Sequence, residues 1–186
     1  MKKYWLVLVV VLALVLALTN AAVFAYYPIT VSATGVKPVY FDLGSNAGQA
    51  DLGDNNNIAV TLGASGCSLD ISVHPTYQET YYKNVSVIIN TDTVKAYYIA
   101  FRVETPFSFP AGSQAKMRIF DEGNNLVGEV DLLTSGDTGW FSTPLSADSK
   151  FRIDLYFYYP EGEPLPSGAT ATVKLIYSPQ NVETAP

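Results

Sequence analysis

Beyond residue 25 this chain alternates apolar and polar side chains with a period of two. Successive residues of an extended strand point to opposite faces, so the pattern marks strands buried on one side and wet on the other. Leu69, Ile71 and Val73 alternate with Asp70, Ser72 and His74, and Val85, Val87 and Ile89 with Ser86, Ile88 and Asn90. Tyr97, Ile99, Phe101 and Val103 make one face of residues 96–104. Phe151, Ile153, Leu155 and Phe157 do the same against Arg152, Asp154, Tyr156 and Tyr158, as do Ala171, Val173, Leu175 and Tyr177 against Thr170, Thr172, Lys174 and Ile176. Shorter runs fall at 39–43, 58–62, 116–120 and 126–132. Turn-forming clusters separate them, at 53–57, 63–66, 122–125 and 160–162. Residues 121–125, between two alternating runs, predict a hairpin. No segment past residue 25 keeps a helical period beyond two turns. Roughly nine or ten short strands in one stretch predict an all-β fold, a jelly-roll-like β-sandwich spanning 36–186 without internal repeat or linker.

The first 25 residues follow a different rule. Lys2 and Lys3 precede an uninterrupted apolar run from Tyr4 to Leu18, and Thr19-Asn20 opens a more polar stretch. Val23-Phe24-Ala25 then sets small residues at the positions a signal peptidase reads, which predicts cleavage between Ala25 and Tyr26 and a secreted, extracellular product. The alternative is a retained anchor, since the run extended to Ala25 reaches the length of a membrane span. Loss of residues 1–25 removes two lysines and no acid, taking the net charge from −6 to −8. An acidic surface excludes nucleic acid and, after cleavage, anionic membranes as partners, because both require clustered Lys and Arg. The single cysteine, Cys67, cannot close an internal disulfide, so packing or contacts between chains must hold the domain.

Residues 26–35 need their own account. Tyr27, Ile29, Val31 and Ala33 would share one face of a strand, with Pro28, Thr30 and Ser32 on the other, and Gly35 follows as a hinge. Pro28 donates no ladder hydrogen bond, which puts such a strand at an edge. It reads either as an ordinary first strand of its own sandwich or as a donor strand, Tyr26 to Ala33, that leaves its domain to complete a neighbour's sheet. In strand addition, main-chain hydrogen bonds supply affinity and alternate side chains supply specificity. Donor and acceptor surfaces differ, so the contact propagates as a filament.

No arrangement of catalytic residues emerges. Gly63-Ala64-Ser65-Gly66-Cys67 lacks the last glycine of a nucleophile elbow and leads into a strand. His74 shares a polar face with Asp70 and Ser72, as an exposed sheet face would, and pairing it with Cys67 as a thiol catalyst meets the same objection. One His and one Cys cannot make a tetrahedral metal set. A calcium candidate exists in the Asp51, Asp54 and Asn55–Asn57 cluster, although its spacing is not that of an EF-hand and such loops commonly form turns. No cofactor is expected. Asn84-Val85-Ser86 is an N-glycosylation sequon. Of the thirteen tyrosines, Tyr81-Tyr82, Tyr97-Tyr98, Tyr156 and Tyr158-Tyr159 put rings on both faces of their strands, so outward rings could stack on sugars or pack on other protein surfaces.

The order of these features resembles the camelysin-like (TasA) family of biofilm fibre proteins, and especially the archaeal bundling pilins. The resemblance runs through the signal, residues 26–34, the run at 39–43, Lys83-Asn84-Val85-Ser86-Val87-Ile88-Ile89-Asn90-Thr91 and the run at 97–103. It implies a jelly-roll subunit that polymerises through its N-terminal strand into a pilus or fibre serving adhesion or biofilm. Its partners would then be other copies of itself and, beyond them, neighbouring filaments. The alternative from another class is a monomeric secreted carbohydrate-binding or adhesive module.

Overall fold

A computed structural model describes residues 4, 5, 7, 9 and 29–183. Two compact units divide after Gly35, Met1–Gly35 and Val36–Pro186. The expected signal, its cleavage point at Ala25 and Tyr26, and donor residues Tyr26, Tyr27 and Pro28 therefore lie wholly or largely outside the described residues. In the first unit, residues 29–35 form no strand and are all exposed.

The second unit is all-β and antiparallel, as the alternation predicts. Among the described residues its strands are β1 (Val39–Leu43), β2 (Ala59–Leu62), β3 (Leu69–Ser72), β4 (Gln78–Asn90), β5 (Tyr98–Thr105), β6 (Gln114–Phe120), β7 (Leu126–Asp131), β8 (Gly136–Asp137), β9 (Ser149–Tyr159) and β10 (Thr172–Ser178). One five-stranded sheet runs β1-β4-β9-β6-β7. Facing it are a three-stranded sheet, β10-β5-β8, and a separate β2-β3 hairpin. All contribute to one apolar cluster, so the architecture is a sandwich whose second layer is in two pieces.

The faces fall largely where the period places them. Phe151, Ile153, Leu155 and Phe157 of β9 are buried, and so are Ile99, Phe101 and Val103 of β5. The 121–125 hairpin forms, with Asp121 Oδ1 accepting from the Asn125 amide at 2.8 Å while β6 and β7 pair on either side. β4 departs from the pattern. Its register with β9 shifts between Tyr82 and Ser86, where Asn84 adopts φ 49°. Three residues, Lys83, Asn84 and Val85, stand there against the single Asp154, two more than an unbroken ladder holds, so the alternation keeps its phase across the bulge. Thr80 and Tyr82 point inward before it, and Ser86, Ile88 and Asn90 do so in the same phase after it. Val85 stays in the core, but Val87 and Ile89, expected on the same buried face, border a groove on the outer side.

Buried polar groups tie the layers at specific points. Asn90 Nδ2 donates to the carbonyls of Lys95 and Ser146, each at 2.8 Å, and its Oδ1 accepts from the Asp92 amide at 3.0 Å. This fixes the crossing from β4 to β5. At the opposite side, Gly128 of β7 lies under the Phe141 ring, so close that an added Cβ would sit 2.4 Å from it. The strip containing Phe141 follows β8 along β5, with the Phe141 amide donating to the Ile99 carbonyl at 2.9 Å. The β8 side of the second layer is thereby set over β7.

Candidate functional site

The least completed part of the sandwich is the flank opposite β8. Among the described residues β10 stands at the edge of its sheet, with β5 as its partner. Val173, Leu175 and Tyr177 are registered with Val103, Phe101 and Ile99. Directly opposed residues share a face, so all six point to the core. The β5 members are 3, 1 and 0% exposed, yet Val173 and Leu175 are only half-buried and Tyr177 is 37% exposed. Tyr177 closes edge-to-face on Tyr97 at 5.7 Å, which fixes its ring inward while one side remains open. The hairpin repeats the deficit. Val60, Leu69 and Ile71 pack on the core but are only half-buried, and no ladder joins β2 or β3 to β10.

The hairpin is held by a polar clasp that the sequence reading did not anticipate. The Asp51 carboxylate is 1% exposed. Its Oδ1 accepts from the Leu52 amide at 2.7 Å; its Oδ2 accepts from the His74 amide at 2.7 Å and meets His74 Nδ1 at 2.9 Å. Burial alone would raise the Asp51 pKa, but these donors outweigh it and hold the carboxyl below its ordinary range. The Tyr82 hydroxyl is buried nearby without a hydrogen-bond partner. Burial, then the neighbouring Asp51 charge, pushes its phenol far up. With its oxygens thus occupied, Asp51 braces the loop, and Asp54 sits exposed in the adjoining turn. Among the described residues no three His, Cys, Asp or Glu side chains gather as metal ligands.

The other residues of interest are scattered. His74 pairs with Asp51 rather than with Asp70 or Ser72. Ser65 lies in the short 3-10 turn Ala64–Gly66 at φ 58°, where its carbonyl accepts from Lys37 Nζ, and Cys67 beside it is exposed. Asn84 sits in the bulge, half-buried, with Nδ2 donating to Ser45 Oγ at 2.8 Å. It borders an outer-face groove of about 540 Å³ with Asp42, Asp121, Glu122 and Arg152.

The tyrosines divide by face. Tyr82, Tyr97 and Tyr159 are core. Tyr81 and Tyr156 lie side by side on the outer face, ring centroids 6.5 Å apart, with the Arg118 guanidinium 4.6 Å over Tyr156. Glu129 holds Arg118 at 2.9 Å and Lys116 at 2.7 Å. Beneath them Asp154, 1% exposed, accepts from the Tyr81 hydroxyl at 2.7 Å, the Asn84 amide at 2.7 Å and Arg152 Nε at 2.8 Å. Burial, then the hydrogen bond to Asp154, raises the Tyr81 phenol. Asp154 was legible only as a polar position of β9. Its burial comes from the bulge, which turns the Asn84 amide towards it.

No protein-family model matches this chain, and a search of curated proteins returned no match.

Proposed function

We propose that this protein is the repeating subunit of an extracellular filament, exported by its N-terminal signal and polymerised by donor-strand complementation. The observation that carries the reading is the state of residues 29–33. Ile29 and Val31 are each 85% exposed, in a segment without charge, ahead of a sandwich that forms its own sheets. A strand with alternating apolar residues cannot persist alone in water, because its backbone groups need a ladder and its apolar face needs cover. A second copy would supply both. Burying Ile29 and Val31 would contribute about 1.5–3 kcal/mol each, set against the ordering of the segment. The subunit has no catalytic cycle in this reading. Its partner is another copy in a helical homopolymer, of jelly-roll design, serving adhesion or biofilm.

The test is electron microscopy of the chain beginning at Tyr26 beside one beginning at Gly35. Filaments from the first and single particles from the second are expected. Single particles from both would remove the filament and leave a monomeric adhesive or carbohydrate-binding module, for which binding of glycans through Tyr81 or Trp140 is the next measurement.

A further inference from the structure

Resting on the strand-donation reading, we propose where the donated strand docks. The acceptor is the interval in the second layer between β10 and the β2-β3 hairpin, and its occupant is residues 29–33 of a second copy.

The layer order fixes the interval. Phe141 on Gly128 sets the β8 side over β7, so β5 and then β10 follow across the sheet towards β4 and β1. The hairpin reaches the same layer from the β1 side. Gly66, at φ 69°, lies against the Phe41 carbonyl, where an added Cβ would be 2.4 Å from the oxygen, and the Asp51–His74 clasp ties the end of β3 near Tyr82 of β4. The free edge of β10 therefore faces the hairpin. Both borders carry inward apolar residues left incompletely covered, half-buried Leu175 and exposed Tyr177 on one side and half-buried Leu69 and Ile71 on the other. An edge strand presents a row of unpaired main-chain groups, the requirement for strand addition.

The other edges serve less well. β8 is two residues long and its Asp137 is engaged by Arg102 at 2.5 Å. The outer edge of β1 is overlain by the hairpin tip, where Lys37 reaches the Ser65 carbonyl. β7 places exposed charges at Glu129 and Asp131 along its length. β10 offers seven residues with an inward row of Val173, Leu175 and Tyr177. The occupant matches in chemistry: Ile29, Val31 and Ala33 fall on one face, Thr30 and Ser32 on the other, and neither this segment nor the inward rows of the interval hold a charge. Gly35 then lets the chain swing between its own domain and the next.

Cross-linking tests the acceptor separately from polymerisation. In the full chain with Cys67→Ser, which removes the native thiol, Val31→Cys is combined with Leu175→Cys on β10, Leu43→Cys on β1 or Leu126→Cys on β7. Adjacent strands lie about 4.8 Å apart, within disulfide reach. Filaments oxidised and run without reductant should give a covalent ladder for the Leu175 pair alone. Filaments with a ladder at Leu43 or Leu126 instead would overturn this acceptor and leave strand donation standing, whereas cross-links confined to single chains would overturn both. Absence of filaments from the unsubstituted chain would overturn both. Hydrogen exchange on unsubstituted filaments avoids any effect of the cysteines: amides of Thr172–Ser178 should exchange more slowly than in dissociated chains, and unchanged exchange there sinks the proposal.

Discussion

β5 and β10 are neighbours in one sheet, in register, with equally apolar inward rows, yet their surroundings differ. β5 has β10 on one side and the β8 strip on the other, so Ile99, Phe101 and Val103 are sealed. Among the described residues β10 has a partner on one side alone, and its matched residues remain partly wet. Side-chain chemistry does not separate the two rows; the number of flanking strands does. The centre of the sandwich is held by close packing, which is felt throughout when atoms are removed. The flank is held by one ladder and, at the hairpin, by a buried carboxylate and its donors. Such a flank is the kind of region expected at the low end of the local stability range.

The contrast can be broken at several points. Phe101→Ala empties the centre and should cost about 3–5 kcal/mol, read as a large fall in the urea midpoint. A loss as small as that at β10 would show that the centre is not tightly packed. Asp51→Asn comes next, at about 1–3 kcal/mol, since it weakens the acceptor of buried donors. It should speed amide exchange in β2 and β3 more than in β9. Its pH dependence has a definite sign. The folded carboxyl titrates below its ordinary value, so its contribution is present above the unfolded pKa and lost as pH falls through the lowered folded value. Wild type should therefore lose more stability than Asp51→Asn between about pH 6 and pH 2, and equal losses would refute the clasp. Leu175→Ala, at a half-buried site, should cost less than about 2 kcal/mol in the isolated subunit. Val31→Asp, at an exposed position, should change the melting of the single chain by no more than about 0.5 kcal/mol while abolishing filaments. Long filaments from that variant would sink the donor-strand reading.

How much of this was legible depends on range. The faces of β5 and β9 and the hairpin at 121–125 could be read directly, because the period of a strand and the chemistry of a turn are properties of a few adjacent residues. The bulge could not. Val85, Val87 and Ile89 look like one face, but the pairing of β4 with β9 turns Ser86, Ile88 and Asn90 inward, and Val85 reaches the core only as part of the bulge at Asn84. His74 invited comparison with Asp70 and Ser72 on its own strand, whereas its partner Asp51 lies in a loop that must first fold back along the hairpin. The apolar character of Val173, Leu175 and Tyr177 was plain, but nothing local marks a strand as an edge.

The sequence by itself thus determined the all-β class, the position of nearly every strand, and the uncharged alternating segment at 29–33. The tertiary structure decided which strands lack a neighbour, which carboxylates are buried at Asp51 and Asp154, and where the second layer is interrupted. Alternation and turn chemistry act between residues close in the chain. Strand order, edges and buried ion partners arise between residues far apart, where many pairings satisfy the same local pattern and only the packed whole selects one.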